Sequence, residues 1–532
     1  MASSSRPHAA AERRVLALLL AVTATAAISS CTTGGADTGA GKGGAGAGAG
    51  KVAVAMASDP TSLDPSKATV ASDFQMARMA YDSLVGRDDG GKIVAALAEK
   101  WSATADSAEF TLRDGITCTD GAKLTATAVA DSLNRLGDPK TGATASAQVF
   151  GAGNTVTATA DDAARKVTVK LKNPWSDLLF GLAMPQSGIV CPAALKDPKL
   201  LAAGGKGAGT GRYYVASAQP GSVYRLTARD GYAWGPAYAK QPGGTPPGSA
   251  DMRVIQSEAT MANELQTGAL DYAGLTGADV ARFTGKKEFT LRPAPIVRMM
   301  VVFNQRAGRP GADPAVRKAV AAALDRTAFN KAVTRGSGQL LTSIADAGVP
   351  CVSKDASLLT APDKMAAAKA LKGVRIKITG TNAVAGGTGN EYVAAALKAA
   401  GADVVLRNAA NATWGSEVLG NKGDWDLTLW PNLNLTNVLT APASLLAGPP
   451  PAEGRNFGDV RNPAFGAAFA KAMTTVDTTA KCAAWGEAQK ALLARTDVVP
   501  LAAANVFYID GSRIASASPD GLYDPSTIRL KK

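Results

Sequence analysis

The sequence predicts an α/β protein with several sheets, divided into more than one domain. Strand-like alternation and helical periodicity are interleaved along the chain instead of being segregated, which favours layered α/β architecture. The body from Lys51 to Lys532 spans 482 residues, too many for a single core and enough for two or three domains. No period of 20 to 50 residues recurs, so a solenoid is disfavoured.

The N-terminal segment comes first. Arg13 and Arg14 precede an apolar run from Val15 to Ile28, followed by Ser29, Ser30 and Cys31, the order of a secretory leader. The run falls short of the roughly 20 residues that cross a bilayer as a helix, so a permanent transmembrane anchor is the weaker reading. Ile28-Ser29-Ser30-Cys31 looks like a bacterial lipobox, which would remove residues 1–30 and place lipid on Cys31. The Gly-rich stretch Thr32 to Gly50 reads as a flexible tether of about 25 Å. Twin-arginine and general export both remain open.

Losing residues 1–30 takes Lys+Arg from 57 to 54 and Asp+Glu from 44 to 43, leaving a charge of +11 and discarding His8, the chain's one histidine. A Ser/His/Asp or Cys/His catalytic set needs imidazole, as do His-rich metal sites, so neither can be built. Cys118, Cys191, Cys351 and Cys482 are widely spaced without a CxxC, and in an oxidising compartment they favour two disulfides over zinc. Aromatics are 5% of residues and do not interleave with the basic ones, which argues against a nucleic-acid partner.

Strands are predicted at 51–56, 109–113, 166–171, 223–228 and 297–303. Helices are predicted at 125–136, 260–268, 314–334, 362–371, 391–400 and 478–494. Pro314 behind Asp313 reads as a first-turn proline behind an N-cap, and Gly401 as a helix stop. Gly204 to Gly211 lacks the GK[ST] ending of a phosphate loop and runs into a strand at Tyr213, so it reads as a loop.

Several segments taken in order resemble the extracellular solute-binding proteins of the oligopeptide, dipeptide and nickel family of ABC importers, family 5. They are Pro60-Thr61-Ser62-Leu63-Asp64-Pro65, Leu97-Ala98-Glu99-Lys100-Trp101, Phe110-Thr111-Leu112-Arg113-Asp114-Gly115 and Asp120-Gly121-Ala122-Lys123-Leu124-Thr125. Gly209-Thr210-Gly211-Arg212-Tyr213, Gly231-Tyr232-Ala233-Trp234-Gly235 and Leu265-Gln266-Thr267-Gly268 continue the series. The resemblance implies a two-lobed periplasmic-binding-protein-like clamp of type II, built of three segments with mixed sheets and a hinge between the lobes. After the leader (1–30) and the lipidated linker (31–50), domain I would be 51–81, 193–296 and 506–532, domain II 82–192, and domain III 297–505. On that division Cys118 pairs with Cys191 and Cys351 with Cys482, each within one lobe.

The resemblance further implies a non-enzymatic receptor without cofactor or metal, held by a lipid anchor at the outer face of the cytoplasmic membrane. It would act as a monomer, capture a peptide or peptide-like solute and pass it to an ABC permease. The alternatives are a non-peptide such as an oligosaccharide or a chelated metal, or a sensing role without transport. Matching positions make Thr69, Val70, Arg298, Met300, Trp414, Trp430, Asn432 and Asn434 the candidate ligand contacts, with a surface ion pair as the competing role for Arg298, core packing for Met300 and Trp414, and a loop of solvated asparagines for Asn432 and Asn434. Peptide readers of the family usually carry an aspartate shortly after the equivalent of Trp430. No acid lies between Asp426 and Glu453 here, which puts recognition of a free α-ammonium in doubt. Such a charge-assisted bond is worth roughly 1.5–3 kcal/mol.

Overall fold

The computed structural model describes residues 50–143, 145–433 and 436–532; Cys31 and Asn434 lie outside them. The dominant sheet is eleven-stranded. Its order is Asp403–Ala409, Arg375–Thr381, Leu427–Leu433, Thr290–Phe303, Val498–Asp510, Tyr272–Leu275, Lys51–Met56, Ser249–Val254, Val223–Ala228 and Tyr213–Gln219, with Gln339–Leu340 added beside Val498–Asp510.

Two strands make this one sheet instead of two. Thr290–Phe303 and Val498–Asp510 pair antiparallel from Thr290 opposite Asp510 to Val302 opposite Val498. At one end Val498–Asp510 pairs with Tyr272–Leu275; at the other Thr290–Phe303 pairs with Leu427–Leu433. These two crossing strands therefore run from one lobe into the other. Their register shifts between Pro295 and Val297 and again between Met299 and Met300, and such bulges bend a strand and increase its twist. Pro293, Pro295 and Pro500 add positions with no N–H to donate.

In the lobe holding Lys51–Met56, a separate four-stranded antiparallel sheet runs Ala98–Ala103, Ser107–Leu112, Lys166–Leu171, Val156–Asp161. Alternate residues of Ser107–Leu112 are buried, so one face packs on helix Ala126–Gly137 through Phe110, Val167, Val169, Val129 and Leu133. The Thr125 hydroxyl caps that helix by accepting from the Ala128 N–H. Cys118 and Cys191 are bonded within this core, their Cα atoms 6.1 Å apart. The second lobe packs helix Thr388–Ala399 over parallel strands Arg375–Thr381 and Asp403–Ala409. There Phe303, Phe329, Ile376 and Leu397 form its core. Cys351 and Cys482 are bonded there, with Cys482 on helix Thr478–Ala494.

The predicted strands at 51–56, 166–171 and 223–228 and the helix at 478–494 keep those bounds. The single helix expected over 314–334 is two, Pro314–Ala323 and Arg326–Thr334. Asp325 interrupts it by accepting from the N–H groups of Thr327 and Ala328, capping the second helix where a continuous one would have needed α geometry. The strand expected to begin at Val297 begins at Thr290, running through Pro293 and Pro295. No described helix is long and apolar enough to cross a membrane.

Candidate functional site

The crossing strands carry the centre of the site. Arg298 stands opposite Asn432 on one side and Ala503 on the other, just past the first bulge. Its side chain is only 5% exposed. Its Nε donates to Asp346 Oδ2 at 2.6 Å, and its Nη2 donates to Asn437 Oδ1 at 3.0 Å. Burial pulls the guanidinium pKa below its ordinary value, and the Asp346 charge opposes that fall. The Gly348 N–H donates to Asp346 Oδ1 at 2.9 Å, fixing the carboxylate from its own loop. The surface ion pair considered for Arg298 is thus corrected to a buried one, because the bulged strand turns the side chain into the space between the lobes.

That space is a cavity of about 250 Å³ whose walls include Asp89, Ile296, Arg298, Asp346, Asn437 and Asp520. Its carboxylates have cationic partners: Asp346 pairs with Arg298, Asp520 with Arg78, and Asp89 with Lys240 at 2.7 Å. The acid-free stretch after Trp430 therefore does not leave the cleft without acids; they arrive from loops distant in sequence.

Polar bonds join the lobes around this cavity. Arg87 donates across to the Thr436 carbonyl oxygen and, within its own lobe, at 3.2 Å to that of Asp520. Asp177, 3% exposed, accepts from Lys481 Nζ and from the Thr440 hydroxyl. Beside it the Ser176 hydroxyl donates to the Ala472 carbonyl oxygen at 2.9 Å, and its N–H to that of Met473 at 3.1 Å. The lobes are closed on one another in this structure.

Among the candidate contacts, Arg298 lines the cavity. Met300, Trp414 and Trp430 are packed with Trp425 and Phe457 in a hydrophobic core of the second lobe, and the Trp414 Nε1 donates to Thr428 Oγ1 at 3.0 Å. The N–H groups of Thr69 and Val70 both donate to Asp73 Oδ2, at 2.7 and 3.1 Å, so they are committed to their own helix N-terminus instead of a ligand strand. Asn432 is buried, with its Oδ1 lacking a partner among the described residues. Asp89, Asp346 and Asp520 escaped the sequence reading because each sits in an Asp/Gly-rich turn, a pattern shared with ordinary solvated loops. Among the described residues no cluster of three or more His, Cys, Asp or Glu is placed to hold a metal ion.

Two lobes joined by a pair of strands and closed over a charged cavity define a solute-binding clamp. Residues 92–445 match the model of bacterial extracellular solute-binding proteins, family 5 (middle region), and the chain belongs to that family. A substrate-binding protein from Microbacterium hydrocarbonoxydans, solved with 4-hydroxybenzoate hydrazide, is 35% identical, with a TM-score of 0.75 over 90% of this chain and all of that one. A dipeptide-binding protein from Pseudoalteromonas sp. SM9913, solved with Met-Leu, shares the fold at 19% identity, with a TM-score of 0.71 over 90% of this chain and 100% of that one. The glutathione-binding protein GsiB of Escherichia coli K12 is 28% identical over 294 residues, 54% of this chain and 55% of the relative. The match thus spans about half the length of that curated relative. By that description the family comprises bacterial extracellular solute-binding proteins.

Proposed function

We propose that this chain is the receptor lipoprotein of an ABC importer, enclosing a small peptide or peptide-like solute between its lobes and delivering it to the permease. One observation carries the solute class: the cavity's carboxylates are each matched by a cation. A balanced cavity of about 250 Å³ favours a neutral or zwitterionic solute, since a net charge would enter without a counter-charge. Amide-like ligands are named for three relatives: glutathione, a dipeptide and an aryl hydrazide. Solute capture then biases the clamp toward the closed form.

The segments 51–81, 193–296 and 506–532 are proposed as domain I, 82–192 as domain II and 297–505 as domain III, in a monomer tethered through lipid on Cys31. Native mass spectrometry of protein purified without refolding tests the solute: a co-purified peptide or acyl hydrazide supports the reading, and a sugar overturns it. Palmitate labelling that persists in Cys31→Ser would overturn the anchor.

A further inference from the structure

A second cavity, of about 430 Å³, lies beside the first. Three loops wall both. Asp89 faces the first cavity and Gly90 and Gly91 the second; Gly348 faces the first and Pro350 the second; Asn437 faces the first and Val438 the second. The chemistry changes across this partition. The second cavity is bordered mainly by apolar side chains, with Ile93, Leu179 and Phe180 from one lobe and Leu439, Val476 and Trp485 from the other. Its buried charges, Asp177 and Lys481, neutralise one another. Lys481 Nζ and the Arg87 guanidinium each lie 5.7 Å from the Phe180 ring centroid, which holds that ring by cation–π attraction.

We infer that this chamber receives the apolar portion of the transported solute, so that the ligand is two-part: an amide-like head beside Arg298 and Asp346, and an aromatic or branched aliphatic body beyond Asn437. The inference rests on the reading of the cleft as the solute site. Neither lobe encloses the chamber alone, so it is completed by the same closure that completes the polar cavity, and a solute held at Arg298 faces it as the lobes meet. Its volume is ample for a ring, since an apolar cavity of about 150 Å³ accommodates benzene. Loosely held water in such a space is displaced favourably by an apolar group.

The test uses two probe pairs with matched heads, acetohydrazide against 4-hydroxybenzoate hydrazide and glycyl-glycine against glycyl-phenylalanine, titrated calorimetrically into the full chain. The aromatic member of at least one pair should bind on the order of 10- to 100-fold tighter, the effect of burying one ring. Val476→Trp, at a position 45% exposed on the chamber wall, should erase that increment while the small member of the pair binds as before. Loss of both affinities would be checked against Val476→Ala, which leaves the chamber open and should keep the increment. Equal affinities within both pairs, or an increment that survives Val476→Trp, would overturn the two-part solute while leaving the receptor reading intact. No binding by any of the four probes would overturn both.

Discussion

Asp82 and Asp177 are both nearly inaccessible to solvent, yet they hold different joints with different chemistry. Asp82 accepts from neutral donors: the Tyr232 hydroxyl at 2.6 Å, Trp234 Nε1 at 3.1 Å and the Thr210 hydroxyl at 3.0 Å. Burial is the main influence on its carboxyl and pushes the pKa up, although those donors pull the other way. Asp177 instead meets the Lys481 ammonium together with the Thr440 hydroxyl. The first joint lies inside one lobe and is made with neutral donors; the second crosses the space between the lobes and depends on opposite charges. Covalent bonds follow the same division. Cys118–Cys191 and Cys351–Cys482 each stay on one side of the cleft, so closure is secured by bonds that opening can break.

This comparison can be broken in order of expected effect. Replacing Cys118 and Cys191 together by Ser opens a loop with a sequence separation of 73 and should cost about 4 kcal/mol in the chain-entropy account. Urea unfolding should show the loss, while small-angle scattering of the folded protein stays unchanged. Asp177→Ala leaves Lys481 buried without its partner, a change worth about 3 kcal/mol against the closed form. It should enlarge the radius of gyration and speed solute release at least about tenfold; an unchanged scattering profile would remove Asp177 from any part in closure.

Asp82→Ala should cost about 2 kcal/mol of folding stability by stranding buried donors, without altering the scattering profile. Asp82→Asn, which keeps an acceptor, should cost less. The smallest effect is on pH dependence. A carboxyl whose folded pKa lies above its unfolded value near 3.8 contributes stability that is present below that unfolded value and lost as pH rises through the folded one. Asp82→Asn should therefore flatten the fall in stability with rising pH in the window above about 3.8. A slope identical to that of the parent protein would show that the donors, not burial, govern Asp82.

Local patterns were legible where local physics decides. The strand Lys51–Met56, the helix Thr478–Ala494 and the Asp313–Pro314 helix start follow from periodicity and capping within a few residues. Segment order likewise carried the family and its two-lobed clamp, because those motifs are contiguous. The long strand through Pro293 and Pro295 was not legible: whether a proline breaks a strand depends on whether the missing N–H was needed, which only the neighbouring strand and its bulge decide. The candidate site was the least legible part. Met300, Trp414 and Trp430 match cleft positions in sequence but lie in a core, the competing role for Met300 and Trp414: the pairing of Met300 with Trp430 turns both strand residues to one face, and Trp414 joins them from the short helix Asn411–Trp414.

By itself, then, the sequence determined the α/β class, the family and the absence of imidazole after the expected leader. The tertiary structure alone decided what lines the cavity between the lobes. Asp89, Arg298, Asp346, Asn437 and Asp520 come from five separated stretches of chain, and no local pattern marks residues that become neighbours only when two lobes close. Charge balance in the cleft is a property of that meeting. An acid-free stretch after Trp430 could describe one wall, whereas the opposing loops supply the carboxylates and their cationic partners.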